Sequence, residues 1–320
     1  MNETAPPHIP VMLEPCLEAL ALHPGDWCID GTFGAGGHSR ALLERGCCVL
    51  ALDRDDRAQE FVRPLEAQYP EQFVFARANF QDMAEVALKR GIVPKGVLLD
   101  LGVSSMQLDE AARGFAFRQD GPLDMRMGLN DISAEALVNG ASQDELAAII
   151  YKYGEDRYSR RIARAIVEVR QIAPITTTGE LMKVVAGAYP GRAGSRHDHP
   201  ARRTFQALRI VVNDELKALE NALAAAASCL AEDGRLAVLS YHSLEDRIVK
   251  VFMRSGVLTP LHKKPQTASE QELKTNPRAR SAKLRSAVKP AAKHQDTKHQ
   301  DTLITTPSQV HVTPERTPSS

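Results

Sequence analysis

Hydrophobic and polar positions alternate in blocks over residues 27–103, where short apolar runs ending in aspartate are separated by stretches with helical spacing. Blocks of this kind are typical of β-α-β units in a parallel sheet. The pattern predicts strands at 27–32, 49–53, 73–76 and 97–101. It predicts helices, each joined to the sheet by a right-handed crossover, at 39–45, 54–68 and 81–90. The chain therefore begins as a doubly wound α/β fold.

The alternation stops after residue 108, and helical spacing continues without a convincing strand, with helices predicted at 134–138, 143–151, 160–171 and 178–188. The α/β pattern then returns with a helix at 213–231, a strand at 235–240 and a helix at 244–254. We therefore predict one α/β domain formed by 1–108 and 214–287, with an inserted helical domain at 109–213. The remaining segment, 288–320, is predicted to be a disordered tail because its polar repeat cannot bury enough apolar surface.

Composition places the chain among ordinary globular proteins. It has 320 residues, of which 43% are hydrophobic and 25% charged, so a collagenous or wholly disordered chain is excluded. The 40 basic and 40 acidic residues cancel. A nucleic-acid partner would therefore have to be bound by local basic patches, since no global field attracts it.

Cysteine usage and the N-terminus argue for a reduced, cytoplasmic protein. The five cysteines are an odd number without CxxC spacing, so we expect buried thiols, no disulfide framework and no metal site. No lysine or arginine precedes Arg40, which leaves no basic start for a secretory signal. No apolar run approaches the ~20 residues of a membrane span, so we expect no membrane association.

A glycine-rich loop follows the first predicted strand, at residues 30–39. Glycines there allow positive φ and let a ligand approach the backbone and the free N–H groups of the next helix. A nicotinamide fingerprint would need G-x-G-x-x-G, but counting from Gly34 the third glycine is replaced by Ser39. An acidic residue at the end of strand one, as at Asp30, instead resembles motif I of class I S-adenosylmethionine methyltransferases. The alternative is a plain tight turn.

Carboxylates also end the second and fourth predicted strands. Asp53 can accept hydrogen bonds from both ribose hydroxyls of a nucleotide-like cofactor, a placement equally compatible with an NAD-dependent dehydrogenase. Asp100 points into the same crevice, because open α/β sheets bind ligands outside the carboxyl ends of their strands. Phe80, after the third strand, is placed for adenine stacking or for core packing. Asp55 is expected to cap a helix.

Longer motifs then resemble one family, the bacterial ribosomal RNA small subunit methyltransferase H family. They lie at 8–13, 30–39, 100–109, 113–117, 120–127, 204–210, 240–247 and 276–281. The resemblance implies a Rossmann-like class I methyltransferase with an inserted all-helical domain and S-adenosylmethionine as cofactor. It also implies methylation of the exocyclic N4 of a cytidine in the decoding region of 16S rRNA, with the small ribosomal subunit as partner.

The resemblance assigns the cofactor contacts residue by residue, to Gly36, Gly37, His38, Asp53, Phe80, Asp100 and Gln107. The assignment of His38, Phe80 and Gln107 as cofactor contacts comes from the resemblance and not from the position of the strand ends. The family pattern has proline where this chain has Met106, a departure that leaves Gln107 in place.

The N4 amine is a poor nucleophile because its lone pair is delocalised into the ring, so a catalyst must position it and accept its N–H hydrogen bonds. The Asp/Asn-Pro-Pro-aromatic motif of many amino-methyltransferases is absent, since Leu-Gly-Val follows Asp100. We predict that Asp100, or His242 from the 240–247 motif, is the acceptor. A structural histidine is the alternative for His242.

Two basic patches are candidates for RNA backbone contacts, and the target base must leave its stack. The first contains Arg157, Arg160, Arg161, Arg164, Arg192, Arg196, Arg202 and Arg203. The second contains Lys263, Lys264, Lys274, Arg278, Arg280, Lys283 and Arg285. Tyr151, Tyr153 and Tyr158 could stack on bases near the first patch, although a solvated helix face would show the same charge pattern.

A non-catalytic alternative is a degenerate methyltransferase fold acting as a ribosome-assembly or RNA-binding factor. Intact Asp30, Gly36, Gly37, Asp53 and Asp100 argue against degeneration. No pattern in the chain predicts its oligomeric state.

Overall fold

The computed structural model describes residues 10–128, 132–190 and 199–291. Its sheet contains β1 (Trp27–Asp30), β2 (Cys48–Asp53), β3 (Phe73–Arg77), β4 (Gly96–Asp100), β5 (Arg235–Ser240), β6 (Thr259–Pro260) and β7 (Lys283–Val288). The strand order is β3-β2-β1-β4-β5-β7-β6. β1 to β5 run parallel, which places the carboxyl ends of β1, β2 and β4 side by side at one edge.

The predicted strands are confirmed, with ends that differ by one or two residues. Two strands were not predicted. β7 pairs antiparallel with β5, and the short β6 pairs antiparallel with β7. Val288 still belongs to β7, so the tail predicted to begin there starts slightly too early. The rest of the predicted tail, from residue 292 onward, lies outside the described residues.

Helices cover both faces of the sheet and build the insertion. They are α1 (Leu13–Leu20), α2 (Gly37–Glu44), α3 (Gln59–Gln68), α4 (Met83–Lys89), α5 (Ser105–Asp109), α6 (Ala134–Gly140), α7 (Gln143–Gly154), α8 (Ser159–Arg170), α9 (Thr178–Gly187), α10 (Ala201–Val212), α11 (Glu215–Cys229), α12 (Ser243–Arg254) and α13 (Glu270–Thr275). Short 3-10 helices lie at Asp56–Ala58, Phe80–Asp82, Ala111–Arg113 and Pro277–Ser281.

Two hydrophobic cores lie against the sheet, one on each face, because its strands carry apolar side chains on both faces. Leu98 belongs to a core with α1, α2 and α3, whereas its neighbour Leu99 belongs to the other core with α4, α11 and α12. Alternate residues of a strand face opposite sides of the sheet, so continuous apolar runs such as β4 are buried on both faces.

The insertion has a core of its own, formed by side chains from Phe115 to Leu208. Within the described residues between 109 and 213 the regular elements are helices, with one isolated bridge between Pro122 and Thr177. The helix α10 was not predicted, because its arginines suggested only a surface patch. Its other face is apolar, and Phe205 and Leu208 on that face are buried. The predicted fold class, a mainly parallel, doubly wound α/β sheet with a helical insertion, is confirmed.

The described residues up to Pro290 form one compact unit, so the domain boundaries at 108 and 213 stay predictions. Among the described residues no helix is long and apolar enough to cross a membrane. The five cysteines are free thiols; Cys16, Cys28 and Cys47 are buried as expected, whereas Cys48 and Cys229 are only half-buried.

Candidate functional site

The first strand-end carboxylate, Asp30, supports the glycine loop. Its Oδ2 atom accepts a 2.7 Å hydrogen bond from the Ser39 hydroxyl, and Oδ1 accepts one of 3.2 Å from the Thr32 N–H. Asp30 is 1% exposed, and this burial raises its pKa. Because both oxygens bind the loop itself, Asp30 shapes the turn into α2 rather than facing an open cleft.

The loop is built from glycines for reasons of packing and conformation. Gly34 and Gly36 have φ values of +55° and +75°, which favour glycine over residues with a Cβ. A Cβ on Gly36 would lie 2.8 Å from the Phe33 ring, and one on Gly37 would lie 2.4 Å from Pro10. The chain's own packing therefore already requires both predicted cofactor glycines.

Asp53 ties the end of β2 to this loop. Its Oδ2 accepts a 2.8 Å hydrogen bond from the Gly34 N–H, and Oδ1 accepts one of 2.9 Å from the Asp55 N–H. A carboxylate offers about four lone-pair sites, so two remain for the hydroxyls of a ribose. Burial raises the pKa of Asp53, although the two backbone donors oppose the rise. The remaining acceptor sites of Asp53 therefore fit the ribose hydroxyls of a nucleoside-like cofactor.

His38, on the first turn of α2, lies between the N-terminal segment and the end of β4. Its Nε2 is 3.2 Å from the Val11 carbonyl oxygen, and its Nδ1 is 3.8 Å from Asp100 Oδ2. The carbonyl can only accept, so Nε2 carries the proton and Nδ1 presents a lone pair. Burial lowers the pKa of His38, which favours this neutral ring.

Asp100, at the end of β4, has its pKa raised like the other two strand-end carboxylates. Its Oδ1 accepts a 2.6 Å hydrogen bond from the Tyr241 hydroxyl, while its backbone N–H donates to the Thr32 hydroxyl. Burial raises the pKa of Asp100 to about 7; the Tyr241 hydrogen bond opposes the rise, and the charge of Glu245 adds to it. The group is therefore able to change its protonation state near neutral pH.

Phe80 opens the 3-10 helix after β3, where core packing is observed and adenine stacking stays a prediction. It packs against the core that contains Leu99, and it also lines a cavity of about 40 Å³ at the strand ends. The cavity is bounded by Thr32 and Gly102 from the loops after β1 and β4. An aromatic face at this edge is suitably placed for a purine.

Gln107 is engaged by the protein itself. Its Oε1 accepts from the Ser104 N–H at 3.0 Å in a capping box, and its Nε2 donates to Asp55 Oδ2 at 2.8 Å. Asp55 is the predicted helix cap, and it also forms a bidentate pair with Arg113 that sequence reasoning missed. Gln107 thus links the loop after β4 to the end of β2, and its cofactor contact stays a prediction.

His242 is the N-cap residue of α12. Its Nδ1 accepts from the Glu245 N–H at 3.4 Å, and its Nε2 lies 3.1 Å from Glu245 Oε1. Both ring nitrogens therefore face its own helix, which favours the structural alternative and leaves the acceptor role a prediction. The residue that reaches Asp100 is the preceding Tyr241, which was missed although it stands in the same motif.

One group of side chains near the cleft has the composition of a metal site. In the described residues, donor atoms of Glu215, His242 and Glu245 lie within 4.8 Å of one another. Arg209 already donates to both oxygens of Glu215, at 2.7 and 2.8 Å. Glu245 Oε2 accepts from the N–H groups of Tyr241 and His242. These contacts make the group an ion-pair network that holds the loop before α12.

The basic patches differ in how many charges are free to bind RNA. In the second patch, Arg278 pairs with Asp109, and Lys283 and Arg285 pair with Asp246. In the first, Arg192 and Arg196 lie outside the described residues. Arg160 and Arg161 are exposed on α8, whose buried face packs into the core of the insertion.

The three tyrosines beside the first patch are not equivalent. Tyr158 packs edge-on against Tyr189 and lies beneath Arg157, while Tyr153 lies beneath Lys152. Tyr151 is 67% exposed on α7. Of the three, Tyr151 has the ring face most available for stacking on a base.

Comparisons with known proteins identify the family. The chain matches the MraW methylase family over residues 5–290. Two relatives, from Deinococcus radiodurans and Heliobacterium modesticaldum, are each named ribosomal RNA small subunit methyltransferase H. The first is 52% identical and covers 91% of this chain and 93% of the relative. The second is 46% identical and covers 88% of this chain and 98% of the relative. The chain therefore belongs to the MraW methylase family and is a methyltransferase.

Proposed function

We propose that the protein methylates the exocyclic N4 of a cytidine in the decoding region of 16S rRNA, acting in the cytoplasm on the small ribosomal subunit. The observation that carries this proposal is the identity of 45–53% to relatives named ribosomal RNA small subunit methyltransferase H. The non-catalytic alternative is less favoured, because Asp53 and Asp100 keep lone pairs for a ligand beside their hydrogen bonds to the protein.

S-adenosylmethionine supplies an electrophilic methyl group on a sulfonium. In this chain the residues that would hold it are Asp53, toward the ribose, and Phe80, toward the adenine. The loop around Gly34 and Gly36 would pass close to the ligand through its backbone, as its positive φ angles allow. Gly37, His38, Asp100 and Gln107 stay proposed cofactor contacts, and the Gln107 amide also fixes the loop after β4.

Asp100 is proposed to accept a hydrogen bond from the N4 amine. An acceptor there holds the amine in line for attack and favours a pyramidal nitrogen, in which the lone pair is available. Only the ionised carboxylate is a pure acceptor, so the pKa of about 7 makes this role dependent on pH. Asp100 remains available because Tyr241 binds only one of its two oxygens.

The helical insertion is proposed to bind the RNA. Arg160 and Arg161 would contact phosphates, and Tyr151 would stack on an unpaired base near the extruded target. Because the net charge of the whole chain is +0, these local contacts must supply the electrostatic attraction.

The proposal is tested with small subunits purified from cells that lack the gene. They are incubated with the protein and methyl-labelled S-adenosylmethionine, beside naked 16S rRNA and large subunits. We expect label in the small subunits and little in the other two. Label in naked RNA alone would contradict the assembled particle as substrate, and no label in any RNA would contradict the proposed activity.

A further inference from the structure

The contact between Tyr241 and Asp100 joins two loops that are 141 residues apart in sequence. We infer that the Tyr241 hydroxyl positions the Asp100 carboxylate, leaving Oδ2 as the oxygen that accepts the substrate N–H. This inference rests on the proposed function, because it gives Tyr241 a role in the reaction assigned to Asp100. Tyr241 is thus a positioning residue that acts through its neighbour.

The two oxygens of Asp100 have different surroundings. Oδ1 accepts the 2.6 Å hydrogen bond from Tyr241. Oδ2 faces His38 Nδ1 at 3.8 Å, beyond hydrogen-bond distance, and that nitrogen presents a lone pair when Nε2 donates to Val11. Within the described part of the chain, no other side chain donates to Oδ2. About a quarter of the Asp100 side chain, 24%, is exposed, so a substrate donor can approach it.

The orientation of Tyr241 is itself fixed, at its ring and at its backbone. Its ring packs against Gly102, where an added Cβ would lie 3.3 Å from Cδ2. Its backbone N–H donates to Glu245 Oε2 at 2.8 Å. Burial would raise the pKa of Glu245, but His242, Arg209 and the Tyr241 N–H together lower it, so Glu245 stays ionised at neutral pH. The 240–247 motif therefore holds the phenol in place, with His242 and Glu245 as its support.

The sign of the pH effect follows from the groups around Asp100. Glu245 from α12 and Asp30 from β1 disfavour its charged form, and the Cys16 thiol from α1 stays neutral because burial raises its pKa. His38 from α2 is neutral, because burial lowers its pKa. Tyr241 is the donor that favours the carboxylate, so removing its hydroxyl raises the pKa of Asp100.

The test compares Tyr241→Phe, Asp100→Asn and the double variant as full-length proteins. In the wild type, methylation should fall as the pH decreases through about 7, because Asp100 becomes protonated. Tyr241→Phe should lower kcat by about 10- to 100-fold at pH 7 and move this fall to higher pH. In Tyr241→Phe, the KM for small subunits and the affinity for S-adenosylmethionine should change little. The double variant should be no slower than Asp100→Asn.

Tyr189→Phe is a matched control, because Tyr189 also donates to an aspartate, Asp156, inside the insertion. It should leave the pH dependence unchanged. Should Tyr241→Phe fail to fold, 3-fluorotyrosine placed at position 241 in the otherwise wild-type protein gives a second readout. Its hydroxyl is a stronger donor, so the fall in rate should move to lower pH.

The possible failures are distinguishable. If Asp100→Asn keeps full activity, the proposed role of Asp100 is wrong whatever Tyr241 does. If Asp100→Asn is slow but Tyr241→Phe matches the wild type in rate and pH dependence, the inference about Tyr241 is overturned. If the fold-losses in kcat of the two single variants multiply in the double variant, the inference is also overturned, since Tyr241 would then act independently of Asp100.

Discussion

Three strand-end aspartates have different roles because their hydrogen-bond partners differ. Asp30 is enclosed by its own loop, and both of its oxygens bind protein donors. Asp53 accepts two backbone N–H groups but keeps lone pairs for a ligand. Asp100 has one oxygen bound by a phenol, and among the described residues no side chain donates to the other. We therefore propose that the same residue type shapes the turn at Asp30, binds the cofactor ribose at Asp53 and contacts the substrate at Asp100.

Asp53→Asn should weaken binding of S-adenosylmethionine, because an amide keeps one acceptor oxygen and loses the charge that both backbone donors favour. Hydrogen bonds to charged groups contribute about 1.5–3 kcal/mol, so we expect an increase in Kd of about 10- to 100-fold. Titration calorimetry with the cofactor measures it. Asp56→Asn is the control, since Asp56 is exposed and pairs with Arg77. Equal cofactor affinity in both variants would contradict the role of Asp53.

The insertion contacts α12 through Glu155, at the end of α7. Glu155 adopts a left-handed conformation with φ of +49°, and its carboxylate accepts from Ser243 and from Arg247, both on α12. The hydrogen bond from Ser243 lowers the pKa of Glu155. This contact fixes α7, which carries Tyr151, relative to the loop that holds Tyr241.

Glu155→Gln should raise KM for small subunits by up to about fivefold, because an exposed ion pair contributes about 0.2–1 kcal/mol. Cofactor affinity should be unchanged, since the Glu155 carboxylate contacts Ser243 and Arg247 and not the proposed cofactor residues. Steady-state kinetics with purified subunits measures the effect. Glu85→Gln, which breaks an exposed pair with Lys89 on α4, is the matched control. A loss of cofactor binding in Glu155→Gln would argue against a link confined to the insertion.

Tyr151→Ala should weaken binding of small subunits by about tenfold, because stacking on a base contributes about 1–3 kcal/mol. Cosedimentation at constant salt measures the affinity. Ile172→Ala serves as control, because Ile172 is a similarly exposed apolar side chain of the insertion, at 89%. If the two variants bind subunits equally well, Tyr151 does not stack on the RNA.

At the scale of the whole molecule, local patterns predicted most of the fold. Asp53 and Asp100 could be located because an apolar run and the carboxylate that ends it are adjacent in sequence. β7 was missed because Lys283 and Arg285 suggested an RNA patch, whereas they pair with Asp246. Tyr241 could not be selected over His242, because only the folded chain brings it to Asp100. Such long-range contacts are set by the topology of the sheet.

We propose that the product of this methyltransferase is N4-methylcytidine in 16S rRNA. Nucleoside mass spectrometry tests it most directly, on small subunits from cells lacking the gene, before and after incubation with the protein and S-adenosylmethionine. We predict that N4-methylcytidine appears after incubation with the wild type and is strongly reduced with Asp100→Asn. A methyl group on another base or another atom of cytidine would contradict the account.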